Sequence, residues 1–254
     1  MKTSKKLVLT LSGGMDSSVL LYMAQDNGYD EIHTITFDYG QRHKRELTCV
    51  NKQINNFNNL FSGWFNFKVT NKVLDVKYIK DIAPTSSLTN NDIDNPHISE
   101  MAGDAQPISY VPFRNLMFLS ICSSYAESVG ADTVWYGAAQ VDSLAGYWDG
   151  SEEFVDTVNN ITDLNRENRI VIEAPLLDMS KEEIIKEGVR LGVKFKDTWT
   201  CYSNREDKLA DATTPSSSMR VKGFIDAKYQ DPIQYVQQEK LDKLYKDNNC
   251  KECA

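Results

Sequence analysis

Nowhere in its 254 residues does the chain carry an apolar run approaching the roughly 20 residues that a membrane-spanning helix needs. Between Met1–Lys6 and Ser12 stands only the short apolar stretch Leu7–Leu11, too little for the core of a secretory signal, so a soluble protein in the cytoplasm is expected. Positive charge is in short supply: 28 Lys and Arg stand against 36 Asp and Glu, a net charge of −8. Non-specific nucleic-acid binding rests on neutralising phosphates with cations, so no direct nucleic-acid partner is expected and a small-molecule substrate fits better. There are five cysteines, an odd number without a secretion signal, which suggests reduced thiols instead of a disulfide framework. No internal repeat or low-complexity tract is evident. What remains is ordinary for a globular protein: 41% hydrophobic and 25% charged residues, with length enough for one large domain or two small ones. The favoured division is a main domain over residues 1–200 with an appendage over 201–254.

Lys5–Leu11 is a short β-branched and apolar run that ends in Ser-Gly-Gly, and Asp16 opens a helical pattern through Leu20, Leu21 and Ala24. Glu31–Phe37 alternates like a strand, Lys44–Phe57 has helical spacing and Trp64–Val69 is again strand-like. Pro84–Pro107 turns polar without periodicity and predicts a long loop or lid. Asn115–Val129 predicts a helix stopped by Gly130, Thr133–Ala138 a buried strand, Glu152–Ile161 a helix and Ile170–Ala174 a strand. Ser180 followed by Glu183 is a capping-box pattern for a helix through Leu191. Beyond Thr198 regularity fades, with helix expected again from Met219. Alternating strand and helix implies an α/β fold, a doubly wound parallel sheet whose ligand site lies at the carboxyl ends of the strands.

The string Leu11-Ser12-Gly13-Gly14-Met15-Asp16-Ser17-Ser18 sits between the first strand and the first helix. Glycines let the backbone approach an oxyanion and adopt positive φ, the free N–H groups and the helix dipole favour negative charge, and hydroxyls add donors. Asp16 would repel phosphate unless it holds Mg²⁺ bridging the phosphate oxygens. The alternative is a capped turn with glycines for tight packing. A Walker loop, GxxxxGK[ST], does not occur here, which makes direct transfer of a γ-phosphate the weaker reading.

Ser-Gly-Gly-x-Asp-Ser after the first strand resembles the PP-loop of the ATP pyrophosphatases, whose fold is adenine-nucleotide α-hydrolase-like and which make acyl or iminyl adenylates from ATP. Phe37-Asp38-Tyr39-Gly40-Gln41-Arg42-His43 is similar to the second signature of the 7-cyano-7-deazaguanine synthases of the queuosine pathway. Further strings agree in order: Tyr110-Val111-Pro112-Phe113-Arg114-Asn115, then Val141-Asp142-Ser143 through Gly146-Tyr147 to Asp149 with Glu153-Phe154. Pro175-Leu176-Leu177 through Ser180-Lys181 to Thr198-Trp199-Thr200-Cys201-Tyr202 follows. The resemblance runs from Leu7 to about Tyr235. It implies that 7-carboxy-7-deazaguanine is adenylated, aminated by ammonia to the amide, and activated again and dehydrated to the nitrile, with ATP and Mg²⁺ as cofactors and a homodimer as the assembly.

Under that resemblance, Leu11–Ser18 hold the ATP phosphates with Asp16 on magnesium. Lys181 reaches the phosphates or the departing pyrophosphate, and Arg42 and Arg114 stabilise charge on the activated carboxylate, which suits a planar donor fork. Tyr39, Gln41, His43, Asn115, Asp142, Tyr147 and Asp149 are the candidates to contact the deazaguanine ring, with His43 also a possible base. The family also carries a zinc site built from the cysteine of Thr-Trp-x-Cys-Tyr and three later cysteines. Here Cys201 is retained, while Asp211, Thr214 and Ser217 occupy the other positions. Neutral hydroxyls are poor substitutes for thiolate, so zinc is not expected at those positions. Two alternatives follow for the C-terminus: Cys250 and Cys253 join Cys201 in a relocated site, or they end a disordered tail of free thiols. The altered segment also raises the alternative of an enzyme that stops at the amide, for DNA modification. Other readings are a different PP-loop ATP pyrophosphatase and a catalytically inactive nucleotide-binding module.

Overall fold

Leu7, Val8 and Leu9 are apolar on both faces of a strand, a pattern suited to the middle of a parallel sheet covered on both sides. All three are fully buried in β1 (Lys6–Thr10). The computed structural model describes residues 4–41, 45–61, 63, 67–90, 92–93, 107–140, 142, 146–201 and 209–253. Within them β1 pairs in parallel with β2 (Glu31–Asp38) on one side and with β4 (Thr133–Trp135) on the other. β3 (Lys68–Asp75) extends the sheet beyond β2 and β5 (Val171–Glu173) beyond β4, giving the order β3-β2-β1-β4-β5. The direction of strand addition reverses between β1 and β4, and a crevice opens at such a switch point. The doubly wound parallel sheet expected from the alternating pattern is therefore present.

The helices are α1 (Met15–Asp26), α2 (Arg45–Leu60), the short α3 (Ile79–Ile82), α4 (Arg114–Val129), α5 (Glu152–Thr162), α6 (Lys181–Leu191), α7 (Pro215–Asp226) and α8 (Gln238–Asp247). Alternation along β1 divides the core. Leu7, Leu9 and Leu11 pack with Val19 and Leu20 of α1, Phe57 of α2, Ile184 and Ile185 of α6 and Phe224 of α7. Val8, on the opposite face, packs with Leu119, Cys122 and Ala126 of α4 and with Phe154 and Val158 of α5. Each fully buried Leu or Val contributes about 1.5–3 kcal/mol relative to exposure.

Local signals account for most boundaries. Ser180 accepts from the Glu183 N–H, and the Glu183 carboxylate accepts in return from the Ser180 N–H, the expected capping box. Gly130 ends α4 at φ 70°, a left-handed conformation open to glycine at little cost. Three expectations need correction. Of the strand foreseen at Trp64–Val69, residues 64–66 lie outside the described residues, and the described strand runs over Lys68–Asp75, where pairing with all of β2 sets its register and exposed Lys68 and Lys72 suit an edge. The strand foreseen over Thr133–Ala138 leaves the ladder after Trp135. The helix foreseen from Met219 begins at Pro215, which supplies a preset φ at its first position. Part of the expected loop at Pro84–Pro107 lies outside the described residues. Its beginning is a wall of the molecule, with Ser86, Ser87 and Leu88 buried and the Ser86 hydroxyl donating to the Ser109 carbonyl.

Among the described residues, regularity does not fade after Thr198. Trp199, Cys201, Val221, Tyr235, Leu241 and Tyr245 form a third core cluster, and α7 packs against α6 closely enough that a Cβ on Gly223 would press on Lys181. Nor is the tail through Cys253 loose. Lys251 bridges Tyr229, the Gln230 N–H donates to the Lys251 carbonyl at 2.7 Å, and Cys253 packs on the first core. Backbone pairing and a half-buried thiol hold it in place, which corrects the expectation of disorder.

Candidate active site

β1 delivers Leu11 and Ser12 to the switch point, and the chain turns there on Gly13 at φ 82°. Gly14 caps α1 without any side-chain hydrogen bond, so the first N–H groups of the helix keep their donor capacity. Ser12 and Ser17 fix the turn: their hydroxyls lie 3.0 Å apart, the Ser12 N–H donates to Ser17 Oγ, and the Gly14 N–H donates to Ser12 Oγ. Ser18 is fully buried and its hydroxyl donates back to the Gly14 carbonyl at 2.7 Å. Gly13 and Ser18 therefore shape the turn from behind, whereas Leu11, Ser12, Gly14, Met15, Asp16 and Ser17 line a cavity of about 330 Å³.

The opposite wall comes from the other side of the switch point. After β4, Tyr136, Gly137 and Ala138 line the cavity, with Asp142, Tyr147 and Asp149 beyond them, while the Tyr136 N–H still donates to the Glu173 carbonyl of β5. Tyr39 and Gln41 follow β2 on the near side. The Gln41 amide is engaged locally, its oxygen accepting from the Tyr39 N–H and its nitrogen donating to the Phe37 carbonyl, so Gln41 holds the turn that presents Tyr39. Asp142 does similar work with one oxygen, which accepts from the Ala139 N–H at 2.9 Å. Burial raises the Asp142 carboxyl above its ordinary value, offset by nearby Lys181, and burial likewise raises Asp149, offset by Arg114. Tyr147 shares a 2.6 Å hydrogen bond with Ser109.

Arg114 enters at the first position of α4. Phe113 before it adopts φ 53°, costly for a bulky residue, and the Tyr110 hydroxyl supports that turn by accepting from both the Phe113 N–H and Trp148 Nε1. The guanidinium donates to the Tyr39 hydroxyl at 3.4 Å, lies 5.6 Å from its ring centre, and donates through Nε to the Asn115 side chain. Arg114 and Asn115 both line the cavity. Arg42 and His43, expected beside them, lie outside the described residues.

Lys181 stands behind the phosphate turn, its ammonium 2.7 Å from Asp16 Oδ2. The other oxygen, Oδ1, is buried and finds no hydrogen-bond partner among the described residues. An orphaned carboxylate oxygen beside free helix N–H groups fits a divalent cation that takes its remaining ligands from phosphate and water.

Behind the cavity, the four positions of the family's zinc ligands do converge. Asp211 N–H donates to Cys201 Sγ at 3.2 Å, Thr214 Oγ1 lies 3.9 Å from that sulfur, and Thr214 donates to Ser217 Oγ at 2.9 Å. The Asp211 carboxylate turns instead to Thr213 and Gln237. One cysteine with two hydroxyls is a poor donor set for tetrahedral zinc. Cys253 packs on the first core, whereas Cys250 packs against the third cluster, which also holds Cys201. Chelator treatment is therefore expected to leave the thermal unfolding midpoint where it was. A fall in the midpoint, with zinc recovered in the dialysate, is the contrary result.

The sequence reading missed Glu46, Ser109, Thr200 and the start of α7, where Thr214, Pro215, Ser216 and Met219 close one side of the cavity. Glu46 was visible as the acidic residue opening the helix after the Gln41-Arg42-His43 string. Burial, countered by Arg114, pushes its carboxyl up to about 8. The contribution of α7 had no local sign.

A glycine turn and an uncapped helix at the switch point of a parallel sheet define a nucleotide-binding α/β protein of the PP-loop kind. The family model "Queuosine biosynthesis protein QueC" matches residues 6–228, and the chain belongs to that family. It is 38% identical over 237 residues to the 7-cyano-7-deazaguanine synthase of Clostridium kluyveri, covering 91% of this chain and 98% of the relative. It is 40% identical over 238 residues to that of Rickettsia felis, covering 91% and 100%. Among solved structures it is similar to an NMN synthetase from Francisella tularensis, 15% identical with a TM-score of 0.48, covering 96% of this chain and 85% of that one.

Proposed function

We propose that the chain makes 7-cyano-7-deazaguanine from 7-carboxy-7-deazaguanine, ammonia and ATP, through an adenylated carboxylate. The observation that carries this reading is the uncapped start of α1, flanked by Ser12, Ser17 and Asp16, facing one cavity with Arg114 and the carboxyls of Asp142 and Asp149. Triphosphate binds at the N–H groups and hydroxyls; the donor edge of the deazaguanine meets Asp142 or Asp149, and Tyr39 or Tyr147 offers a face. Arg114 stabilises charge at the reacting carboxylate, and Lys181 orients Asp16 and reaches toward the leaving pyrophosphate. Magnesium would be held by Asp16 Oδ1 and would neutralise the phosphate oxygens during displacement. Residues 1–200 form the catalytic unit in this reading and 201–254 a buttress, in a cytoplasmic homodimer.

The nitrile is favoured over an arrested amide, because relatives matching along nine tenths of the chain are named for the nitrile. Incubating the acid with ATP, Mg²⁺ and ammonium should give AMP, pyrophosphate and a product with the nitrile's mass. Amide as the sole end product, or pyrophosphate release indifferent to the acid, contradicts the proposal. Asp16→Asn should raise the Mg²⁺ concentration for half-maximal rate on the order of 10- to 100-fold, as loss of metal-holding groups does. An unchanged magnesium titration would remove Asp16 from this role.

A further inference from the structure

We propose that Glu46 is the base that takes a proton from ammonium at the amination step, a role that rests on the adenylation reading above. Glu46 sits in the first turn of α2, and its side chain joins Ser12, Asp16, Tyr39, Arg114 and Asp149 in lining the cavity. Its backbone carbonyl packs against Gly13, so the residue is anchored to the phosphate turn itself. Nucleophile and adenylate must meet beside that turn.

Chemistry supplies the need. Near neutral pH the nitrogen source is overwhelmingly ammonium, which has no lone pair to offer. An acidic wall attracts that cation, and a base is then required. The Glu46 carboxylate accepts one proton, the freed lone pair forms the C–N bond, and the breaking acyl C–O bond leaves its electron pair on AMP. A second proton passes to solvent, and Glu46 returns its own through the open cavity.

Of the acids on this wall, Glu46 suits the task best. Asp142 gives one oxygen to the Ala139 N–H and Asp16 gives one to Lys181, whereas no hydrogen bond to the Glu46 carboxyl is found among the described residues. Among the described residues, the titratable groups coupled to Glu46 are Arg114 from α4, Tyr39 from the turn after β2 and Cys49 from its own helix. Burial, partly offset by Arg114, pushes its carboxyl up to about 8, closer to ammonium than an ordinary glutamate. Because the folded value is raised, the base form grows as pH rises through that value, so ammonium-dependent turnover should climb along the same limb.

The test compares wild type with Glu46→Gln in two assays. ATP–pyrophosphate exchange in the presence of the acid reports adenylation alone. Product formation with ammonium, and separately with hydroxylamine, which is neutral near pH 7, reports nucleophilic attack. Glu46→Gln should keep exchange within a few-fold, lose roughly 10²-fold or more with ammonium, move the pH limb upward toward the range where ammonium itself deprotonates, and recover most of the rate with hydroxylamine. Equal losses with both nucleophiles, or an unchanged pH limb, overturn the role of Glu46. Absence of exchange in wild type overturns the adenylation reading and this role with it. Should the glutamine variant fail to fold, Glu46→Asp carries the same comparison, and a pH limb shared with wild type counts against the proposal.

Discussion

Gly13→Ala is expected to cost at least 10²-fold in acid-dependent pyrophosphate release and to lower the unfolding midpoint. Two independent obstacles meet at this position. The backbone stands at φ 82°, where a Cβ costs roughly 1–2 kcal/mol. That Cβ would also collide with the Glu46 carbonyl oxygen and come within 3.0 Å of the Val50 nitrogen. Both are backbone atoms of α2, so no rotamer change relieves the clash, and overpacking of this kind typically costs about 1–3 kcal/mol more. The turn must move away from α2, carrying Ser12 and the first N–H groups of α1 with it. A displacement near 1 Å in a catalytic arrangement is worth about 10²-fold. Steady-state pyrophosphate release and a thermal melt would check both effects. Near wild-type kinetics would mean that the turn does not position phosphate.

The second large effect is expected at Arg220. It is 1% exposed and donates to both oxygens of Asp231, itself fully buried, at 2.7 and 2.9 Å. It also donates to the hydroxyls of Thr198 and Thr200 and to the Phe195 carbonyl. Arg220→Met should cost about 3–5 kcal/mol in urea unfolding, because it leaves a carboxylate buried without its cation. Arg220→Met combined with Asp231→Leu should recover part of that loss. The damage should also reach the site. Thr198 and Thr200 flank Trp199, whose backbone N–H donates to the Gly13 carbonyl at 3.1 Å and whose ring centre lies 3.7 Å from the Arg45 guanidinium. A raised KM for ATP in the single variant is the expected signature. A single variant as stable as wild type would show that the pair holds nothing together.

Sequence made the front of the site legible, because there the chemistry is local. Ser12 to Ser17 is one turn, and Ser180 with Glu183 is a hydrogen-bonded cap within three residues. Arg114, Asn115, Asp142, Tyr147 and Asp149 were expected at the site and line its cavity. What stayed hidden depends on distant pairing. β3 was placed too early because the aromatic run Trp64–Phe67 has strand propensity, whereas register comes from the match of Glu31 to Lys68 through Asp38 to Asp75. Gln41, expected to contact the ligand, lines the cavity, and its amide also closes its own turn, a double role with no local sign. Glu46 carried no local mark of its weakened acidity, which burial creates, against the pull of Arg114, only after folding.

The cavity wall is assembled from stretches as far apart in the chain as Thr10 and Met219. During synthesis the phosphate turn leaves the ribosome early, and the start of α7 emerges some two hundred residues later. No nascent chain owns the complete chamber until that helix has docked, and even the phosphate turn waits for Trp199 to reach the Gly13 carbonyl.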